Sequence, residues 1–308
     1  MVAVSWVQVA AVTMGILGLA MSSAAESVRS LKVDHVTICG ADLGALQEAF
    51  SRLGLVSDYG GPHANGGTHM AVIGFEDGSY AELVAPLKAG AATDSGWSKL
   101  MLANAGACAW AVESSDIQKD VDALKSAGLP VDGSFPGGRK KPDGKVLEWQ
   151  TAALATQQAG AMLPFMIQDG TPREWRVRPS ASAGQMGLSG VAAVVLGVKD
   201  MGAAIDLFRK AYGWQAPVRE EHPEFGATLA HFTGTPVILA SSQPADGWLA
   251  KRLQDLGDCP IAFLLGGPDF AKASTKAKPA AQTWFGLKLA WFDAENLLGA
   301  RVGVIAAP

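Results

Sequence analysis

The sequence predicts an α+β fold built from repeated strand–helix–strand–strand–strand modules, and three observations predict it. Aspartates that suit helix N-caps recur ahead of amphipathic runs, at Asp42, Asp116 and Asp200, and glycines close the first two runs twelve residues on, at Gly54 and Gly128. Each run follows a short, alternating apolar stretch and precedes strand-like segments parted by turn residues. Polar groups, His35 and Glu82 above all, stand at chosen points on those otherwise apolar strands. A module of roughly 50–80 residues leaves one sheet face uncovered, so modules are expected to pair.

In the first module, Val33–Cys39 reads as a strand. Its period of two groups Val33, His35, Thr37 and Cys39 on one face and Val36 and Ile38 on the other. A helix follows from Asp42, with Leu43, Leu46, Phe50 and Leu53 as its buried stripe and Gly54 as its stop. The segment YGGPHANGGT is rich in Gly and His. Strands Thr68–Phe75 and Tyr80–Pro86 then meet at the Glu76-Asp77-Gly78 turn. On the last strand Tyr80, Glu82 and Val84 share a face, and Ala81, Leu83 and Ala85 suit packing under a helix. His35 and Glu82 therefore both point away from the helix-covered side.

The second module has a strand at Ala107–Glu113 and a helix from Asp116 carrying Ile117, Val121 and Leu124. A hairpin turns at Pro142-Asp143-Gly144, and Leu163–Gln168 completes the unit. The third has a strand at Val191–Val198, a helix with Met201, Ile205 and Phe208, and hairpin strands Phe225–Phe232 and Pro236–Ser241. A connecting helix, Asp246–Leu256, stops at Gly257. The fourth, from Cys259, is degraded: a short helix over Ala271–Lys278 and strands Thr283–Phe292 and Arg301–Ala306. The stretch Arg176–Met186, with VRPSASAGQM in it, has linker composition, which divides the modules into pairs over about 30–175 and 188–308.

At 308 residues, with 49% apolar and 18% charged residues, the chain can bury a full core. A formal net charge of −4 leaves no basic footprint, so nucleic acid is not an expected partner. Three cysteines, Cys39, Cys108 and Cys259, are widely spaced with no zinc pattern, and their odd number argues against a disulfide framework; buried, reduced thiols are expected. Residues 1–25 carry no charged side chain, and an apolar run over Val7–Met21 leads into Ser22-Ser23-Ala24-Ala25. Residues 1–29 are accordingly set apart from the fold. A start at Met21 implies a cytoplasmic protein and is the preferred reading; a signal peptide lacking its basic region implies an exported or periplasmic one; a membrane anchor is the third.

Five stretches in order over residues 33–175, DHVTI, GGPHANGGTH, EDGSYAELVAP, GGRKKPDGKVLEW and LPFMIQDGTPREW, resemble the glyoxalase-like domain family. That family belongs to the vicinal oxygen chelate (glyoxalase/bleomycin resistance/dioxygenase) superfamily, and the second half continues the theme more weakly. The resemblance implies tandem βαβββ modules paired into two cupped, mixed-sheet domains with helices outside. In metal-dependent members the ligands come from the first and fourth strands of paired modules, and here only His35 and Glu82 carry over. Aligned on the helix caps, the counterparts of His35 are Ala109 and Ala193, and that of Glu82 in the third module is Ile238. In the second module the matching strand offers Gln168.

The function so implied is a glyoxalase-like small-molecule enzyme, a lyase or isomerase, moving a proton next to vicinal oxygens with metal assistance. His35 and Glu82 are the expected catalytic residues and the ligands of one divalent metal (Zn, Fe, Mn or Ni), with Glu82 as ligand or base and no organic cofactor. His63 and His69 are auxiliary ligands or substrate donors. Arg139 is either a clamp for an anionic substrate or, with Lys140 and Lys141, a solvated hairpin. Trp149 and Trp110 are pocket walls or core. His222 is read as a loop residue, and His231 and Glu224 show no partner spacing. The alternative function is a protein of the same fold that sequesters a small ligand without catalysis. A homodimer is left open.

Overall fold

The computed structural model describes residues 31–64, 66–154, 162–243, 245–278 and 282–306. The capping aspartates act as read. Asp42, Asp116 and Asp200 accept hydrogen bonds from the backbone N–H groups of Ala45, Lys119 and Ala203 at 2.8, 3.1 and 2.9 Å. They open helices α1 (Leu43–Leu53), α3 (Ile117–Ser126) and α6 (Met201–Tyr212). The degraded fourth module keeps the same device: Asp269 caps through Lys272 N at 3.1 Å and opens the short helix α8 (Phe270–Ala273). Helix α2 (Ser98–Leu102) is an addition to the expected elements, and α4 (Arg173–Arg176), α5 (Ala181–Gln185) and α7 (Trp248–Leu256) complete the set among the described residues.

The strands of the first half are β1 (Val33–Cys39), β2 (Asp58–Pro62), β3 (Thr68–Gly74), β4 (Tyr80–Pro86), β5 (Gly106–Glu113), β6 (Val131–Lys140), β7 (Val146–Leu154) and β8 (Phe165–Asp169). Those of the second are β9 (Gly190–Gly197), β10 (Val218–His222), β11 (Ala227–His231), β12 (Val237–Ser242), β13 (Cys259–Gly267), β14 (Gln282–Trp284), β15 (Leu287–Trp291) and β16 (Val302–Ala306). They form two eight-stranded sheets with identical order, β2-β3-β4-β1-β5-β8-β7-β6 and β10-β11-β12-β9-β13-β16-β15-β14. β1 runs parallel to β4 and antiparallel to β5, as β9 does to β12 and β13. The expected α+β fold, two curled mixed sheets from paired modules, is therefore the observed one.

One apolar cluster runs along the helix-covered faces of both sheets, uniting Ile38, Phe50 and Leu83 with Val194, Phe208 and Leu239. Each sheet has a separate, smaller cluster on its other face. In the first sheet this holds Cys39, Met70, Tyr80, Val84 and Cys108; in the second it holds Ala193, Val195, Ile238 and Trp284.

Two β-bulges alter the reading of β1. Val33 pairs with Val112 and His35 with Ala111, so Asp34 is an extra residue. The bulge shifts parity, and Val33 joins Val36 and Ile38 in the helix-side core instead of sharing the face of His35. At the other end Thr37 pairs with Ala109 and Ile38 with Ala107, leaving Cys108 as the extra residue. There Cys39 and Cys108 form a disulfide, with 5.9 Å between their Cα atoms. This corrects the expected reduced thiols: two strands distant in sequence are neighbours in the sheet, which an odd cysteine count does not exclude. Cys259 alone is free, and it is buried. A Cys39→Ala/Cys108→Ala double variant is expected to lose about 2–4 kcal/mol of stability, because the crosslink closes a long loop in the unfolded chain. Equilibrium unfolding with and without reductant measures this; wild-type stability unmoved by reductant would contradict it.

The linker reading is also corrected. Pro179 bridges to Gly74, and Ser180 N donates to Gly74 O at 2.9 Å. A Cβ on Gly74 would lie 2.0 Å from the carbonyl oxygen of Arg178, so the glycine permits this close approach. Small residues here serve packing rather than freedom. The expected strand Thr283–Phe292 is a hairpin instead, because Phe285 and Gly286 both take positive φ, 51° and 78°, in its turn. The segment 1–29 and its three readings lie outside the described residues, among which no helix is long and apolar enough to cross a membrane.

Candidate functional site

The site begins with the bulge at Asp34, whose side chain is fully buried. An unpaired carboxylate there would be costly, and it is not unpaired. Asp34 Oδ1 accepts from His35 Nδ1 at 2.6 Å and from Arg176 Nη1 at 2.9 Å; Oδ2 accepts from Arg176 Nη2 at 2.9 Å and from Arg173. Asp169 completes the array, accepting from Arg176 Nε at 2.7 Å and Nη2 at 2.9 Å and from Arg173 Nη1 at 3.2 Å. Two guanidinium groups thus balance two carboxylates. Burial pushes the Asp34 carboxyl upward, but its bonds to Arg176 and His35 and their charges outweigh this and hold it well below the usual range. An ionised Asp34 can only accept, so Nδ1 of His35 carries a proton, and in the neutral ring the lone pair falls on Nε2.

The His35 ring is held on two more sides. Tyr80 stacks on it at 4.6 Å between centroids, and Phe165 meets it edge-on at 5.3 Å. The Tyr80 hydroxyl accepts from Arg176 Nη1 at 2.9 Å, and burial pushes its ionisation upward, so it stays a phenol.

Nε2 of His35 lies 4.0 Å from Glu82 Oε2. Glu82 reaches the same hollow from β4, as period-two alternation requires. Its Oε2 accepts from Thr37 Oγ1 at 3.3 Å and its Oε1 from His63 Nε2 at 3.3 Å; His63 Nδ1 in turn meets Thr68 Oγ1 at 2.7 Å. Arg139 comes in from β6, buried, and donates to Gly60 O. Burial pushes the Glu82 carboxyl upward, but the bond and charge of His63 and the charges of His35 and Arg139 bring it down from 4.5 to about 2. A depressed carboxyl contributes stability above its unfolded value and loses it as pH falls through the folded one. Wild-type stability is therefore expected to fall between about pH 4.5 and about 2, and Glu82→Gln to flatten that part of the profile. Parallel acid-unfolding profiles of the two proteins would refute this.

Of these groups, His35, His63, Tyr80, Glu82, Arg139 and Arg176 line a cavity of about 240 Å³ together with Trp97, Trp149 and Phe165. Of the residues expected from sequence, His35, Glu82, His63, Arg139 and Trp149 meet there. His69 does not: its strand parity places it with Ala71 and Ile73 on the helix side, edge-on to Tyr59 at 5.9 Å. Arg139 is no solvated hairpin residue, whereas Lys140 is exposed and Lys141 pairs with Asp143 at 3.5 Å. Trp110 is core, with Nε1 donating to Met162 O at 2.9 Å. His222 is not in a loop but ends β10, buried between Glu220 and Glu224 at 3.0 Å each, so Glu224 does have a partner.

Sequence reasoning missed Asp34, Thr37, Tyr80 and Arg176 as site residues. Asp34 stood beside His35 in DHV, but strict alternation put it on the wrong face; Arg176 stood at the start of the presumed linker.

The arrangement does not fit the divalent metal expected from sequence. Among the described residues no three His, Cys, Asp or Glu side chains group as a metal site. Both oxygens of Glu82 are engaged, the Arg139 guanidinium lies close enough to lower its ionisation, and Ala109, opposite Thr37 on β5, supplies no donor.

Two curled mixed sheets from paired βαβββ modules, with a polar site inside one, define a vicinal oxygen chelate protein. More narrowly, the chain belongs to the glyoxalase-like domain family, whose model matches residues 33–195, more than half its length. A hypothetical protein from Staphylococcus aureus is similar in structure, with a TM-score of 0.58 and 14% identity over 90% of this chain and 100% of its own. That likeness concerns the fold. Methylmalonyl-CoA epimerases from Streptomyces coelicolor, in complex with 2-nitronate-propionyl-CoA, and from Mycobacterium tuberculosis each have a TM-score of 0.34 and 16% identity. They match 39% and 40% of this chain and 98% and 91% of their own. No curated protein matches the chain.

Proposed function

We propose that the hollow of the first sheet is the active centre of a small-molecule enzyme of lyase or isomerase type, acting on a carbon acid with adjacent oxygens. The observation that carries this is the Asp34–His35 pair: a buried carboxylate fixes one ring nitrogen at 2.6 Å, and the other, bearing the lone pair, faces a cavity that holds Arg139. His35 Nε2 takes a proton from carbon, and the electron pair moves onto the neighbouring carbonyl oxygen. The Arg139 guanidinium stabilises the resulting oxyanion or clamps a carboxylate beside it. Return of the proton to the adjacent carbon, or to the opposite face of the first, gives isomerisation; expulsion of a group from the next carbon gives elimination. Glu82, at about 2, is a weak base, and its part is to hold His63 and balance Arg139.

The disulfide between Cys39 and Cys108 supports an oxidising compartment, the exported alternative, over the cytoplasm.

The test incubates the purified protein with 2-hydroxy, 2-oxo and 3-hydroxy carboxylates in deuterium oxide and follows by NMR the loss of the signal from the C–H next to the carbonyl or carboxylate. Exchange or elimination in the wild type that disappears in His35→Gln supports the reading. Saturable binding with no exchange supports the sequestering alternative. Stoichiometric metal in the isolated protein, lost in His35→Ala, would replace this mechanism with a metal-assisted one.

A further inference from the structure

The second sheet repeats the strand order of the first but not its chemistry. In the first sheet Thr37 pairs with Glu82; in the second Val195 pairs with Ile238. Ala193, Val195 and Ile238 therefore stand where His35, Thr37 and Glu82 stand. All three polar positions have become apolar, yet the space is not filled. A cavity of about 790 Å³ lies there, against about 240 Å³ in the first sheet. That volume is in the range of pockets that enclose small organic molecules.

Its floor is Ala193, Ile238, Trp284 and Ile305, all buried. Its rim carries Val218, which is 52% exposed, with Phe285 and Leu287. Apolar walls that face solvent forgo the stabilisation that burial gives, so a purely structural module would be expected to fill this hollow with larger side chains.

The turn at the rim adds an independent observation. Phe285 has φ 51°, a left-handed conformation that is unfavourable for a bulky residue and that Asn or Gly would adopt more readily. Its backbone N donates to Glu220 Oε2 at 2.8 Å, and its ring lies 5.1 Å from that of His231. The strained turn holds an aromatic ring at the mouth. Beside it, His231 Nε2 donates to Thr235 O at 3.0 Å, so in the neutral ring Nδ1 is the acceptor. Glu220 is an acceptor too, and its charge disfavours anions.

We propose that the second half carries a separate binding site for an apolar, aromatic-sized molecule without negative charge. One donor group of that molecule, an amine or hydroxyl, meets Glu220 or His231 at the mouth. The site is independent of the catalytic reading of the first sheet.

The test uses the full-length protein and N-phenyl-1-naphthylamine, a neutral apolar amine, with energy transfer from tryptophan as the signal. Saturable binding of one probe per chain is expected. The anionic relative 8-anilinonaphthalene-1-sulfonate should bind at least about tenfold more weakly, a difference of roughly 1.4 kcal/mol. Ala193→Phe, which fills the floor, should weaken probe binding by about tenfold or more with circular dichroism unchanged. Leu287→Lys, at the rim, should weaken it too and stands in if Ala193→Phe does not fold. Trp149→Leu, in the other cavity, should leave it unchanged. Absent saturation, undiminished binding in the folded second-sheet variants, or loss in Trp149→Leu would overturn the proposal.

Discussion

Replacing Asp34 by Ala is expected to lower stability by about 3–5 kcal/mol, the usual cost of breaking a buried ion array from one side. Asp34 is fully buried and is the shared acceptor of His35, Arg173 and Arg176. Arg176 is itself buried, and without Asp34 it keeps only Asp169 and the Tyr80 hydroxyl for its charge. Against a total of roughly 5–15 kcal/mol for a typical domain, such a loss is a large fraction. The sign with pH follows from the depressed Asp34 carboxyl. Its contribution is complete above about pH 3.9, the ordinary Asp value, and disappears as pH falls toward the lower folded value. Urea unfolding at pH 7 measures the effect, and a midpoint shift equivalent to less than about 1 kcal/mol would show that the array does not anchor β1.

Replacing His35 by Gln is expected to slow proton exchange on a responsive substrate by about 10²–10⁴, the usual range for a positioned base. Gln keeps a polar group of similar reach but cannot accept a proton at neutral pH. Stability should change far less than in Asp34→Ala, because Asp34 keeps both arginines. Asp34→Asn separates positioning from charge. An amide can donate to Nδ1, which would move the ring proton to Nε2 and remove the lone pair from the cavity. Its rate should fall toward that of His35→Gln while binding of the substrate, measured by calorimetry, changes little. A rate within about threefold of wild type in His35→Gln would end the assignment of His35 as base, since that is far below the effect of a catalytic group.

Much of the first site was legible because strand alternation is a local rule. It sent Glu82 and His35 to one face, and both are there. Trp149 and Arg139 arrived in the cavity, but on grounds that equally allowed a core residue and a solvated hairpin. His69 failed because its own parity, Ala71 and Ile73 beside it, already placed it under the helix. Val33 and Asp34 exchanged expected faces because one extra residue in a ladder reverses every assignment beyond it. The disulfide failed for a related reason: Cys39 and Cys108 are 69 residues apart in sequence, and adjacency in the sheet comes from module pairing, not from spacing.

What the sequence by itself determined is the repeat: three capping aspartates, the glycine stops and the turn residues each act within a few residues of themselves, so their consequences are written where they stand. What only the tertiary structure decided is which charges meet. Asp34 and Arg176 are 142 positions apart, and their bond exists because a bulge turns one inward and a segment of linker-like composition carries the other back across the sheet. Such pairings are set by packing among distant strands, and no local pattern encodes them.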